Sequence, residues 1–234
     1  MAILNIETAT SVCSVSLSEN GRVLFEKTSF DGPTHASLSG VFVDEAVRKS
    51  HDLERIIKAV AVSSGPGSYT GLRIGISLAK GLCFGWNVPL ISIPTLDILA
   101  RKAIHVITGG KPSDALFCAM LDARRMEVYT ALYDHTLRKI SETEAMIVTE
   151  NTFSSILEHR IVYFFGSGAG KCKTCVQSSN AVFLDGLHPL AGDMAVLSEQ
   201  ALHKKRFEDV AYFEPFYLKD FIATVPKEKI RSKE

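Results

Sequence analysis

The densest run of residues that could do chemistry is Ser63-Ser64-Gly65-Pro66-Gly67-Ser68-Tyr69-Thr70-Gly71-Leu72-Arg73-Ile74-Gly75. It follows Ala59-Val60-Ala61-Val62 and leads into Ile76, Leu78, Ala79, Leu82 and Phe84. That order reads as strand, tight turn and helix. Gly65 and Gly67 can adopt positive φ, and Pro66 stiffens the turn between them. Ser68 and Thr70 are N-cap candidates, and free N–H groups at a helix start attract anions. Two readings follow: an anion or nucleotide contact through Gly65, Gly67 and Ser68, or a compact connection packed on its glycines. No Lys-Ser/Thr pair follows at Walker A spacing. Ser68 as a hydrolase nucleophile lacks the G-x-S-x-G elbow.

Other candidates are sparser. Thr8 and Thr10 sit in Glu7-Thr8-Ala9-Thr10-Ser11, and Gly166 and Gly168 in Gly166-Ser167-Gly168-Ala169-Gly170. These could touch a nucleotide, or simply shape turns. Seven histidines are scattered, with no H-E-x-x-H and no i, i+4 pair, so a metal site has no ligand set. Cys172 and Cys175 form a single C-x-x-C without a second pair, which reads as incidental thiols. No catalytic residue, metal or cofactor is expected from these patterns.

The elements that must position these residues repeat. In the first half a strand over 2–6 ends before Glu7, and strands over 12–17 and 22–27 flank the hairpin signal Asn20-Gly21. A helix over 36–49, strand 59–63, helix 71–85 and strand 90–93 follow. In the second half, strand 116–121 ends before Asp122, followed by strands over 127–133 and 137–141. A helix over 151–159, strand 161–165, helix 169–177, strand 181–184 and helix 192–205 complete it. A helix over 96–106 joins the halves, with Thr95 as its expected N-cap. A β-β-β-α-β-α-β plan used twice is an α/β layout of the actin/hexokinase/Hsp70-like kind. The expected domains are 1–104 and 105–234, with a C-terminal tail that could pack back on the first half.

Composition is that of an ordinary globular chain: 234 residues, 46% hydrophobic, 22% charged. Acidic and basic residues balance at 26 each, which argues against a domain that binds nucleic acid alone. Only Lys227, Lys229, Arg231 and Lys233 cluster, and Glu228 and Glu234 dilute them. No apolar run approaches the roughly 20 residues of a membrane span. No leader-like segment opens the chain, so a cytoplasmic location is expected.

The segment from Ala59 to Leu99, with SSGPGSYTGLRIG at its centre, resembles the bacterial TsaB (YeaZ) family. So do the opening Ile3-Leu4-Asn5-Ile6-Glu7-Thr8-Ala9-Thr10 and the late Glu214-Pro215-Phe216-Tyr217-Leu218. The resemblance implies a non-catalytic scaffold or activator of TsaD, which forms N6-threonylcarbamoyladenosine at position 37 of tRNAs reading ANN codons. It implies that TsaE, a P-loop ATPase, joins the TsaB–TsaD pair, and that TsaC-type enzymes supply the threonylcarbamoyl-adenylate. It also implies a homodimer in isolation and contact with tRNA only through the complex. The two histidines with which TsaD binds metal fall at Thr95 and Leu99 here, and neither can replace an imidazole. A glycoprotease-type metallopeptidase and an actin-like-fold, ATP-dependent phosphotransferase are the alternatives. Leu38, Val41, Phe42 and Glu45 on one helix, with Leu72, Gly75, Ile76 and Lys80 on the next, are the expected partner interface.

Overall fold

The computed structural model describes residues 1–32, 35–109 and 113–218. Lys227, Lys229, Arg231 and Lys233 lie outside the described residues. The first sheet contains β1 (Ala2–Glu7), β2 (Cys13–Glu19), β3 (Arg22–Ser29), β4 (Ile57–Ser63) and β5 (Leu90–Ile93), in the order β3-β2-β1-β4-β5. Neighbours β1–β2 and β2–β3 are antiparallel, whereas β1–β4 and β4–β5 are parallel. The second sheet contains β6 (Leu116–Asp122), β7 (Glu127–Tyr133), β8 (Glu144–Ile147), β9 (Val162–Phe165) and β10 (Ala181–Leu184), in the order β10-β9-β6-β7-β8. Taken from its own first strand, each sheet has the order third, second, first, fourth, fifth. The repeated α/β plan of the actin/hexokinase/Hsp70-like fold is therefore present in both halves.

Side-chain alternation along β1 explains why the whole strand is buried. Leu4 and Ile6 join Val60 and Val62 on one face, where α1 (His35–Asp52) and α2 (Tyr69–Trp86) cover them through Phe42, Val43, Ile76 and Ala79. Ile3 faces the other way with Ala59, Ala61 and Ile91, against Ile98, Met194 and Ala201. Such double-sided burial suits a near-continuous apolar strand.

The linking helix α3 (Thr95–Thr108) is shared between the sheets. Ile98 packs on the first, while Leu96, Leu99, Ala100 and Ala103 pack with Phe117, Ala119 and Phe165 of the second. Its helical period puts these two sets on different faces. Pro94 is the N-cap and makes no side-chain cap bond. Thr95 is thus the first helical residue rather than the cap, because its side chain turns into the core with no surface exposure.

Three other second-half boundaries differ from the sequence pattern. The third strand is β8 at Glu144–Ile147, not 137–141. Asp134 accepts backbone bonds from Thr136 at 2.9 Å and Arg138 at 3.1 Å, and Leu137 has φ +65°, so a turn occupies that stretch. The helices expected over 151–159 and 169–177 shrink to α4 (Ser154–Leu157) and α5 (Ala169–Cys172). The last helix, α6 (Ala195–His203), follows a 3₁₀ turn at Ala191–Met194 and packs on the first sheet through Ala201. Beyond it the chain runs back along the first half: Glu208 N donates to Leu90 O at 2.9 Å and Phe216 N to Ser64 O at 2.7 Å.

Candidate functional site

The glycine loop is built as strand, turn and helix. Ser68 Oγ accepts from Gly71 N at 3.2 Å, capping α2 as its position suggests. The loop is closed by the chain's own backbone rather than left open. A Cβ on Gly65 would lie 2.6 Å from Phe216 O, and one on Gly67 would overlap Ala9 O. Gly71 and Gly75 continue the same seam along α2, where a Cβ would overlap Thr8 O and Thr8 Oγ1 respectively. The loop edge, with Pro94, Lys139 and Glu142, borders a shallow cavity of about 230 Å³.

The residues marked as possible nucleotide contacts are similarly engaged. Thr8 Oγ1 donates to Gly71 O at 2.8 Å, and Thr10 Oγ1 accepts from Val12 N at 3.3 Å. A Cβ on Gly166 would meet Leu99 Cδ2 at 2.6 Å, and one on Gly168 would meet Leu121 and Val128 at 2.9 Å. Internal close packing accounts for glycine at these positions, in keeping with the reading of a compact connection packed on its glycines.

Acidic residues end the first strand of each sheet, but their surroundings differ. Glu7 is fully buried; Oε1 accepts from Ala9 N at 2.6 Å, and Oε2 has no hydrogen-bond partner among the described residues. Burial pushes its pKa up to about 8, against the lowering effect of the bonds from Ala9 and Ser63. Glu7 is thus protonated at neutral pH and a poor cation ligand. Asp122 is exposed and held by Lys171, whose Nζ also donates to Glu127 O at 2.6 Å. Among the described residues no group of three or more His, Cys, Asp and Glu side chains is placed to hold a metal ion. Thr95 and Leu99 are both fully buried, and Leu99 belongs to the core between α3 and the second sheet.

The eight expected interface residues separate into two groups. Phe42, Leu72, Gly75 and Ile76 are buried within the chain, so their spacing records the helices' inner faces. This corrects their placement on an outward surface: α1 and α2 need those positions to cover the first sheet. Of the rest, Val41 is 51% exposed and Leu38 is half-buried. Glu45 receives Lys27 Nζ at 3.0 Å, and Lys80 Nζ donates to Ala211 O at 3.0 Å and Phe213 O at 3.1 Å.

The outward faces carry residues that the apolar spacing did not single out. Phe84 is 86% exposed near the end of α2, and Trp86 is also exposed. Gly40 on α1, and Gly81 and Gly85 on α2, have open space where a Cβ would be. Ala36, Ser37, Val41 and Ser77 are exposed on the same two helices, together with the Asp44–Arg48 ion pair of α1 and Arg73 of α2. The available signal was the glycines themselves: helical glycines with no internal packing reason are conspicuous.

The comparisons agree with this architecture. The family model described as "TsaD: tRNA N6-adenosine threonylcarbamoyltransferase" matches residues 32–227. The chain is 32% identical over 231 residues to the "tRNA threonylcarbamoyladenosine biosynthesis protein TsaB" of Escherichia coli, spanning 95% of this chain and 96% of that protein. It is 37% identical over 140 residues to the "tRNA N6-adenosine threonylcarbamoyltransferase" of Carboxydothermus hydrogenoformans, covering 49% of this chain and 42% of that one. Among solved structures, "YeaZ from Pseudomonas aeruginosa" superposes with a TM-score of 0.77 at 24% identity, covering 93% of this chain and 99% of that one. That likeness bears on the fold, while the full-length sequence match carries the kinship: the chain belongs to the TsaB (YeaZ) family, within the wider group recognised by the TsaD family model.

Proposed function

We propose that this chain is the non-catalytic partner of a TsaD-type threonylcarbamoyltransferase in forming N6-threonylcarbamoyladenosine on tRNA. The observation that carries the reading is the full burial of Thr95 and Leu99, the positions onto which the family resemblance carries TsaD's two metal-binding histidines. A chain without those imidazoles contributes by binding, and the outward α1–α2 face is the surface suited to it. Gly40 and Gly81 let a partner helix approach closely, and Phe84 supplies an apolar anchor. In this reading the same face pairs two copies when TsaD is absent. TsaE joins the assembled pair, tRNA is met only through the complex, and the site of action is the cytoplasm. Among the described residues no helix is long and apolar enough to cross a membrane.

The same buried pair weighs against a metallopeptidase, and the filled glycine positions weigh against an ATP-dependent phosphotransferase grip. The test is co-purification of the chain with TsaD, using Phe84→Asp and Val41→Glu. Both side chains are exposed, so circular dichroism should be unchanged while the complex is lost. Deleting the gene should also remove threonylcarbamoyladenosine from bulk tRNA, restored by the wild-type chain and not by Phe84→Asp. Undiminished TsaD binding by both variants would move the interface elsewhere, and unaltered tRNA in a clean deletion would overturn the function.

A further inference from the structure

The two halves repeat one strand plan, yet the turns that end their first strands have diverged. The β1–β2 turn is closed over: Thr8 and Ala9 are buried, Thr8 Oγ1 donates to Gly71 O at 2.8 Å, and Ala9 O accepts from Ser68 N at 2.7 Å. Its counterpart between β6 and β7 stands open, with Arg124 and Arg125 exposed. Both arginines lie in the left-handed region, at φ +71° and +50°. The β2–β3 hairpin has the same two consecutive positive angles, +52° at Asn20 and +72° at Gly21. Asn-Gly is the pair that such a backbone favours. Two arginines are strained there, because each Cβ crowds the following carbonyl.

The surroundings hold the turn in this shape without using either guanidinium. Ala123 N donates to Glu127 O at 3.0 Å, and Arg124 N donates to Asp122 Oδ1 at 3.0 Å. Lys171 reaches in from α5: its Nζ donates to Arg125 O at 2.7 Å and Glu127 O at 2.6 Å, and it pairs with Asp122. These bonds engage the arginines' backbone and take up the Asp122 carboxylate. The side chains of Arg124 and Arg125 make no hydrogen bond, ion pair or ring contact among the described residues. Retained strain that serves no internal contact points to residues acting outwards. Adjacent guanidiniums, charged at every working pH, suit oxyanions.

We propose that Arg124 and Arg125 contact the phosphodiester backbone of the tRNA once this chain is assembled with TsaD. The contact presupposes the function proposed for the chain, which brings a tRNA to the complex. Planar guanidinium donors match the oxygens of a phosphate, and such contacts position a nucleic acid without reading its sequence. Two charges are a small part of a tRNA's footprint. That agrees with the balance of 26 acidic and 26 basic residues, which gives the chain no general attraction for RNA on its own. The turn belongs to the second half, whereas α1 and α2 belong to the first, so the arginines are separate from the face proposed for TsaD.

The test is equilibrium binding of an unmodified tRNA transcript to the reconstituted complex of the full chain with TsaD, between about 50 and 200 mM KCl. Arg124→Asn combined with Arg125→Gly copies the Asn20-Gly21 turn. This variant should raise the melting temperature of the isolated chain and leave TsaD binding intact. It should weaken tRNA binding at least about tenfold at the lowest salt. The slope of log affinity against log salt should shrink by about one per arginine. Arg124→Gln combined with Arg125→Gln removes the charges but keeps the strain, so it should weaken tRNA binding equally without the gain in melting temperature. Arg124→Lys combined with Arg125→Lys should keep most of the slope. The proposal is overturned if the wild-type complex binds tRNA and both folded neutral pairs bind it equally well with the same slope. It is also overturned if the neutral pairs lose TsaD instead, which would make the turn a contact for an acidic protein surface. A wild-type chain that forms no complex with TsaD would overturn the proposed function itself, and this contact with it.

Discussion

Gly75 on α2 faces Thr8 so closely that any Cβ at the glycine would overlap Thr8 Oγ1, the same hydroxyl that donates to Gly71 O at 2.8 Å. The seam between α2 and the β1–β2 turn is thus an internal backbone contact. Gly75→Leu is expected to disrupt the fold rather than only an external interface. Overpacking typically costs 1–3 kcal/mol, and this site should reach the upper end because Thr8 is itself buried and hydrogen-bonded. Thermal melts of the isolated chain check this: a lowered midpoint without any partner present is the expected result.

Gly81 provides the contrasting case on the same helix. It has no atom within 4 Å of a Cβ position, so Gly81→Ala should stabilise the isolated chain by about 0.5–1 kcal/mol through better helix propensity. The same substitution should weaken TsaD binding if a partner helix closes on that glycine. Denaturant midpoints and binding, measured side by side, separate the two effects.

Glu7 makes stability depend on pH. Its folded pKa of about 8 lies above the ordinary value of 4.5 for a glutamate. Between those values the folded state holds a proton that the unfolded state has lost. The stabilisation is therefore fully present below about 4.5 and is lost as pH rises through about 8. Burial also raises the pKa values of Glu26 and Asp193, which add slopes of the same sign. Glu7→Gln keeps an acceptor for Ala9 N and removes the titration. It should flatten the fall in stability across neutral pH and raise the melting temperature at pH 8.

The doubled strand plan was legible because each hairpin and each β–α alternation is written locally, in Asn20-Gly21 and in runs such as Ala59-Val60-Ala61-Val62. What the sequence left ambiguous was direction. Phe42 and Ile76 share helical spacing with neighbours on either face, and only the sheet beneath α1 and α2 assigns them inward. Phe84 is apolar yet points to solvent, because it falls at i+7 from Ser77 on the outward face of α2, while its neighbours Leu82 and Cys83 still pack on the core. The glycines of the loops at Gly65 and Gly166 were visible, but their reasons were not: Phe216 O and Leu99 Cδ2 are distant in sequence. The β7–β8 boundary was misread because Asp134 builds a turn by accepting four bonds from Thr136 and Arg138.

Lys80 links α2 to the returning C-terminal segment. Its ammonium donates to Ala211 O and Phe213 O, and two turns earlier Arg73 Nε donates to Tyr217 OH at 3.2 Å while stacking on Tyr69. Val210 and Phe213 then pack against the core beneath α1 and α2. The segment is therefore pinned to α2 at two levels and covers the edge of the first sheet beside β5. Bonds from a charged donor contribute about 1.5–3 kcal/mol when intact, and partial exposure of Lys80 puts its share near the lower end. Lys80→Met keeps most of the apolar stem and removes the two bonds. The expected outcome is a folded chain with a modestly lower melting point, in which proteases cut the stretch around Tyr212 well before they cut the sheets. Adding Arg73→Met should release the segment further, and the rate of cleavage there should rise more than the melting point falls. Resistance equal to the wild type in the double variant would show that Val210 and Phe213 hold the segment without help from α2's cations.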